Sequence, residues 1–441
     1  MFTRKELMKL IIPLIIEQIL AITVGMAAGM MVARAGEAAV SGVSLVDSIN
    51  VLLIGLFGAL ATGGAVVSAQ FLGQEKKESA CIAGEQLIAA ILALSLIVMA
   101  IALLFGRVTL TLLFGDVDAD VMNNARIYFF YSSISFPFIA VYSACAALFR
   151  AMGNSKISMM VSLLMNIINI TSNAILIFIL NMGVAGAAVS TLVSRMVAAV
   201  VMFLLLMNRK QMIHIRDPRK FQINIGMIKK ILSIGVPNGL ENSAFQIGKI
   251  IVQRIVAGLG TSAITANAIA GSICGLGVLP GSAIGLALIT VVGRCVGARD
   301  YPAVKRYTFR LMRFAYIAVA IFNLAIIFAL PAIIKMYSIS EQTGALATNL
   351  MIYHCILSTL IWPLSFALPN ALRAANDVRF TMWISMISMW VWRIGFSYVL
   401  AITFGMGLLG IWVAMTIDWL FRSVFFVIRF LKGKYRNMSV I

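Results

Sequence analysis

The sequence predicts an all-α integral membrane protein, with twelve transmembrane helices in two six-helix lobes related by a pseudo-two-fold axis along the membrane normal. Three observations predict it. Of 441 residues, 61% are hydrophobic and 12% charged, with a mean hydropathy of +1.00, whereas a soluble domain carries about a quarter charged residues. Apolar runs of about 20 residues, the length that crosses roughly 30 Å of hydrocarbon, recur along the whole chain. Most of the 35 Lys and Arg fall in alternate connections between those runs, a placement that accounts for the net charge of +19 by topology and not by nucleic-acid binding.

The first span, near 10 to 33, follows Arg4, Lys5 and Lys9 as a signal peptide would. It is too long for a signal h-region and ends without a small-residue cleavage site, so it reads as a retained helix. Spans near 44 to 71 and 82 to 105 are joined by Lys76 and Lys77. An acidic connection with Asp116, Asp118 and Asp120 leads to the span near 126 to 149, and Arg150 with Lys156 leads on to 157 to 180. The span near 185 to 207 ends at the basic stretch Arg209 to Lys230, which contains Pro218. The remaining six lie near 231 to 256, 263 to 292, 309 to 334, 346 to 371, 380 to 404 and 408 to 430. Their basic connections are Arg294 to Arg310, Arg373 with Arg379, and the tail Arg429 to Arg436. The positive-inside rule then places both termini in the cytoplasm, which requires an even number of spans.

An internal repeat explains the count. "PLIIEQ" at Pro13 returns as "PNGLEN" at Pro237, pairing Glu17 with Glu241. Gly36 pairs with Gly260, Gly73 with Gly297, and "LFRAMGNSKISM" with "ALRAANDVRFTM". "NMGVAGAAVST" matches "GMGLLGIWVAM" after a slip of one residue. The predicted organisation is an N-lobe, 1–207, a cytoplasmic linker, 208–230, and a C-lobe, 231–441. Six helices are an even number, so the lobes insert in the same orientation and enclose a cavity.

The whole chain resembles the multidrug and toxic compound extrusion family. The stretches that carry the resemblance are "PLIIEQ", "GGAVVSAQFLGQEKK", "LFRAMGNSK", "SNAILIFILNMGVAGAAVST" and "IGVPNGLEN", in this order. The resemblance implies a secondary antiporter of the cytoplasmic membrane. It implies export of drug-like organic cations by rocking of the two lobes, driven by entry of protons or sodium, with no cofactor and the chain acting as a monomer. Two aspartates common in the family are missing, since Ala28 and Asn173 stand at their positions.

Acids within spans are the first candidates for cation coupling, because an ionisable group facing lipid costs at least about 2.5–3.5 kcal/mol and should face a cavity or a partner. Glu17 and Glu241 lead, either as proton acceptors or sodium ligands, or else as carboxylates bonded to backbone freed by Pro13 and Pro237. Asp47 is the third, with a helix-start carboxylate near the dipole as its alternative. Asn166, Asn169 and Asn173 form one stripe of a helix, fit either to coordinate a cation or to bond helices together. With no carboxylate beside it, the stripe reads slightly more as glue. Lys249, the repeat mate of Gly25, either replaces a bound cation, repels a cationic substrate, or snorkels to the interface with Arg254. Arg393 and Asp418 are expected to form an interhelical ion pair, and Arg195 to be structural.

Met26, Met30, Tyr142, Phe245, Gln246, Lys249 and Trp362 are candidates for the substrate pathway, as polarizable and aromatic groups suited to varied apolar cations. Pro137 and Pro363 break two helices at nearly matching places. The five cysteines lack paired ligand spacing, so neither disulfides nor a metal site is expected. An intramembrane enzyme is excluded because no paired aspartates and no Ser/His arrangement are visible, and the only histidines are His214 and His354. A flippase for lipids or lipid-linked sugars is the alternative transporter.

Overall fold

The computed structural model describes residues 2–115, 117–216, 221–337 and 340–438. It is helical, without strands among those residues, and comprises twelve long helices. They are α1 (Arg4–Ala33), α2 (Glu37–Gly73), α3 (Lys77–Phe114), α4 (Ala119–Ala151), α5 (Ser155–Ile179) and α6 (Gly183–Leu206), then α7 (Ile225–Ala257), α8 (Thr261–Gly297), α9 (Tyr301–Met336), α10 (Glu341–Ala374), α11 (Val378–Thr403) and α12 (Gly407–Leu431). Eleven are long and apolar enough to cross a membrane. The other is α7, whose middle carries Asn238, Glu241, Asn242 and Gln246. Each helix spans one predicted segment, and most extend past it, because polar ends continue the backbone ladder beyond the apolar run. Asp116 and Pro218 lie outside the described residues.

The chain divides into two compact units, Phe2–Gly239 and Leu240–Ile441. The division falls inside α7, not in the linker. Its cause is a close helix crossing: a Cβ on Gly63 of α2 would stand 2.6 Å from the Ile231 carbonyl oxygen and 2.8 Å from the Gly235 nitrogen. Only a small residue lets the two backbones approach so nearly. The linker is held to α3 by Glu85, which accepts from the Arg216 side chain at 3.1 and 2.9 Å and from its backbone N–H at 2.8 Å. Those bonds hold the Arg216 guanidinium charged beyond its ordinary range.

Within each unit the backbone repeats its irregularities. Positive φ angles pair between the halves as Gly36 with Gly260 (103° and 96°), Glu75 with Arg299 (62° and 55°), Gly153 with Asn376 (83° and 66°), Asn181 with Gly405 (51° and 67°) and Gly183 with Gly407 (53° and 57°). The ends of α2 and α4, and of α8 and α10, close in the same way, with an αL residue followed by a bond back across the last turn, as in Lys76 N–H to the Phe71 carbonyl and Asp300 N–H to that of Cys295, each 3.0 Å. A π-helical turn also recurs, at Ala174–Ile179 and Val399–Thr403.

Two further π segments, Pro363–Ala367 in α10 and Met389–Gly395 in α11, have no mate in the N-terminal unit. Helix α10 has 34 residues against 33 in α4, and α11 has 26 against 25 in α5. A π turn is the way a helix absorbs one extra residue without losing its ends. The one-residue slip in the repeat is therefore the second of these insertions. Pro137, by contrast, sits in an uninterrupted α-helix, whereas Pro363 opens a π segment.

Candidate functional site

Each half contains a repeated ion pair and a cavity. In the N-terminal unit Glu17 is buried, with the Ser158 hydroxyl 2.8 and 3.0 Å from its two oxygens and Arg150 Nη1 at 3.6 Å. In the other unit Arg373 Nη2 donates to Glu241 Oε1 at 2.7 Å, and the Asn370 amide oxygen accepts from Arg373 Nη1 at 2.8 Å. Both arginines come from the repeated "FRA" and "LRA" stretches at the end of α4 and α10. The sequence reading matched the glutamates with each other and the arginine stretches with each other but did not join them, and the recurrence of both in the two halves is the signal that could have done so. Tyr142 is buried beside Glu17, Ser158 and Ser162.

The N-terminal cavity, of about 240 Å³, is framed by α1, α2, α4, α5 and α6. Asp47, Asn166, Asn169, Asn173, Thr191 and Arg195 line it with the small residues Gly25, Ala28 and Gly29 of α1. Two expectations are corrected here. Asp47 lies more than two turns inside α2, which begins at Glu37, so it is not a helix-start residue. The asparagine stripe does have a carboxylate in its cavity, supplied by α2 across the bundle and thus invisible in the sequence around α5. Asn50 Nδ2 donates to Asp47 at 3.2 Å, Asn173 Nδ2 donates to the Asn169 amide oxygen at 3.1 Å, and Asn169 Nδ2 to Thr191 at 3.4 Å. Asn166 Nδ2 and Asn173 Oδ1 are buried without a partner. Arg195 donates to Ser135 at 2.8 Å. Carboxylate, amide and hydroxyl oxygens in one concavity are the donor set of a hard cation, or of a proton site with polar support.

The C-terminal cavity is larger, about 470 Å³, and of different character. Phe245, Lys249 and Trp362 line it, as the sequence reading grouped them, along with His354, Arg393, Trp412 and Trp419, which that reading did not place there. Glu241, Gln246, Arg373 and Arg422 line an adjoining pocket of about 250 Å³ that shares Phe245, Lys249 and Phe366 with it. The Phe245 ring faces Lys249 Nζ at 4.9 Å, and Phe366 lies under Arg422 at 4.4 Å and stacks on Trp362 at 5.0 Å. Asp418 is fully buried, accepts from Ser388 at 2.6 Å and from Arg422 at 2.9 Å, and stands 3.7 Å from Arg393. The expected Arg393 pair is thus present, but Arg422, four residues along α12, is its closer partner.

Met26 and Met30 line neither cavity; their side chains are exposed. Cys274, His354 and Cys355 bring three ligand atoms within 4.8 Å of one another, all buried. The absence of paired spacing in the sequence did not foresee this cluster, since α8 and α10 meet only in the fold. Two thiols and an imidazole have the softness to hold Cu(I) or zinc.

The family model MatE matches twice, at residues 13–175 and 237–399, once in each half. The chain is a MATE family transporter. It is 29% identical over 418 residues to "Uncharacterized transporter YisQ" of Bacillus subtilis, covering 93% of this chain and 90% of that one. It is 27% identical over 457 residues to "Probable multidrug resistance protein NorM" of Thermotoga maritima, covering 99% and 94%. Among solved structures, the outward-facing conformation of a multidrug resistance MATE family transporter shares the fold, with a TM-score of 0.90 at 19% identity, covering 99% of this chain and 97% of that one. MATE family members are transporters and not enzymes.

Proposed function

We propose that the chain is a multidrug exporter of the cell membrane, with both termini cytoplasmic, which antiports drug-like organic cations against protons or sodium by alternating access. The observation that carries the coupling part is the division of the intramembrane acids. Glu17, Glu241 and Asp418 are each committed to an arginine, whereas Asp47 lines a cavity with three asparagines and with Arg195, which bonds Ser135 and stands beyond ion-pair distance of Asp47. A carboxylate whose nearest bonded group is a neutral amide is free to exchange a proton or ligate a cation; one held by a guanidinium is already neutralised. In this reading Asp47 replaces the missing family aspartates, and Glu17 and Glu241 tie α1 to α4–α5 and α7 to α10.

Relatives named as multidrug resistance proteins support a drug-like substrate over a lipid one. The test is efflux of a fluorescent cation from reconstituted vesicles under an imposed proton or sodium gradient. Asp47→Asn is expected to abolish gradient-driven efflux, with Glu17→Gln and Glu241→Gln retaining it in proportion to the folded protein recovered. Full coupling in Asp47→Asn, with loss in either glutamate variant at normal recovery, would move the coupling site to the glutamates.

A further inference from the structure

We propose that the C-terminal cavity is a substrate site that takes an aromatic compound bearing a carboxylate, gripped between Lys249 and Arg393 and stacked on the tryptophan wall. The assignment deepens the export reading by naming the substrate class of one of its cavities, and it implies that the best-bound organic cations are zwitterions.

The argument starts from charge. Lys249, Arg393 and Arg422 surround the cavity and its adjoining pocket, with two carboxylates among them, Asp418 and Glu241, the latter bonded to Arg373 through Oε1 while its Oε2 is buried without a partner in the adjoining pocket. Asp418 is taken closely by Arg422 at 2.9 Å and by Ser388, leaving Arg393 at 3.7 Å. Arg393 Nε and Nη1 are buried with no hydrogen-bond partner. Lys249 pairs with no carboxylate among the described residues, and its charge rests on the Phe245 ring alone. Buried guanidinium N–H groups without acceptors are costly, and a bound anion supplies the acceptors they lack. A cation placed in the same space meets two like charges.

Shape and lining agree. The volume of about 470 Å³ suits a drug-sized molecule, and Trp362, Phe366, Trp412 and Trp419 offer faces for an aromatic body. The repeat supplies an independent indication. Phe366 and Arg393 sit on the two π segments that the N-terminal unit lacks. A single inserted residue rotates everything beyond it around the helix, so each insertion re-aims side chains at one cavity, and both fall at this one.

The test uses purified full-length protein in detergent micelles without any gradient, so its failure is distinct from failure of the coupling proposal. Quenching of tryptophan fluorescence is titrated with 3-nitrobenzoate, its neutral amide and 3-nitrobenzylammonium, for the wild type, Lys249→Gln, Lys249→Arg and Arg393→Gln. The carboxylate is expected to bind tightest. Lys249→Gln should weaken it about 10- to 100-fold, Lys249→Arg should retain it, and neither should move the amide. Arg393→Gln should weaken the carboxylate likewise; if it does not fold, the Lys249 pair alone decides. Equal binding of carboxylate and amide, tighter binding of the ammonium, or indifference to Lys249→Gln overturns the assignment. So does loss of nitrobenzoate binding when phosphatidylglycerol is added to the micelles, which would give the cavity to a lipid phosphate.

Discussion

The two halves share a backbone and differ in what they surround. Five pairs of left-handed residues, a repeated π turn and a repeated Glu–Arg contact show one framework used twice. Yet one framework encloses a small cavity with an aspartate, amides and glycines, and the other a larger cavity with tryptophans, a lysine and an arginine. Gly25 matched in the repeat by Lys249, and Asp47 matched by Gly271, show how the exchange was made. Duplicated structure holds where the chain turns and where helices tie together; the walls between those points are free to diverge, and the proposed function gives one cavity to a coupling cation and the other to a bulky substrate.

The comparison breaks most visibly at Asp418, which has no acidic counterpart in the N-terminal unit. Asp418→Asn leaves Arg393 and Arg422 buried without their carboxylate, and should cost about 3–5 kcal/mol. Heating followed by size-exclusion chromatography should show the greatest loss of monodisperse protein for this variant. The repeated ion pairs sharpen the comparison next. Glu241→Gln should cost about 1.5–3 kcal/mol, because its 2.7 Å bond to Arg373 is direct. Glu17→Gln should cost about 0.5–1.5 kcal/mol, because Ser158 still has an acceptor and Arg150 stands farther off. Equal losses in the same thermal assay would show that Ser158 contributes nothing.

Where the halves are alike, paired substitutions should agree. Gly36→Ala and Gly260→Ala each force a side chain into a backbone region reserved for glycine, with nothing near the added Cβ, so each should cost on the order of 1 kcal/mol and the two should match. Asn181→Gly copies the C-terminal solution at Gly405 and should change stability least, by a few tenths of a kcal/mol. A large effect there would mean that the Asn181 side chain, and not its backbone angle, matters.

The sequence made the framework legible because its signals are local. Apolar run length, alternate basic connections and repeated strings such as "PLIIEQ" and "PNGLEN" each sit within a few residues, and the structure follows them helix by helix. The site was legible only in fragments. Asp47 and the asparagines are more than 110 residues apart in the chain and meet through packing of α2 and α5 in one bundle, so nothing near either announces the other. Arg150 and Arg373 lie in stretches already matched in the repeat, but a contact with Glu17 or Glu241 is a property of three dimensions. Cys274 and Cys355 read as scattered for the same reason. Helix α7 shows the opposite limit: its polar middle lowers the apolar signal because it serves the cavity, so the least typical span is among the most informative.

An even number of crossings returns a chain to the side from which it set out. A gene for six such helices can therefore be copied end to end and translated as one polypeptide without either copy being turned over. The matched left-handed residues, glycine in both copies at two pairs, glycine against asparagine at two and glutamate against arginine at one, are what such an event leaves behind. Ancestry of this kind is recorded in backbone angles long after the side chains have ceased to agree.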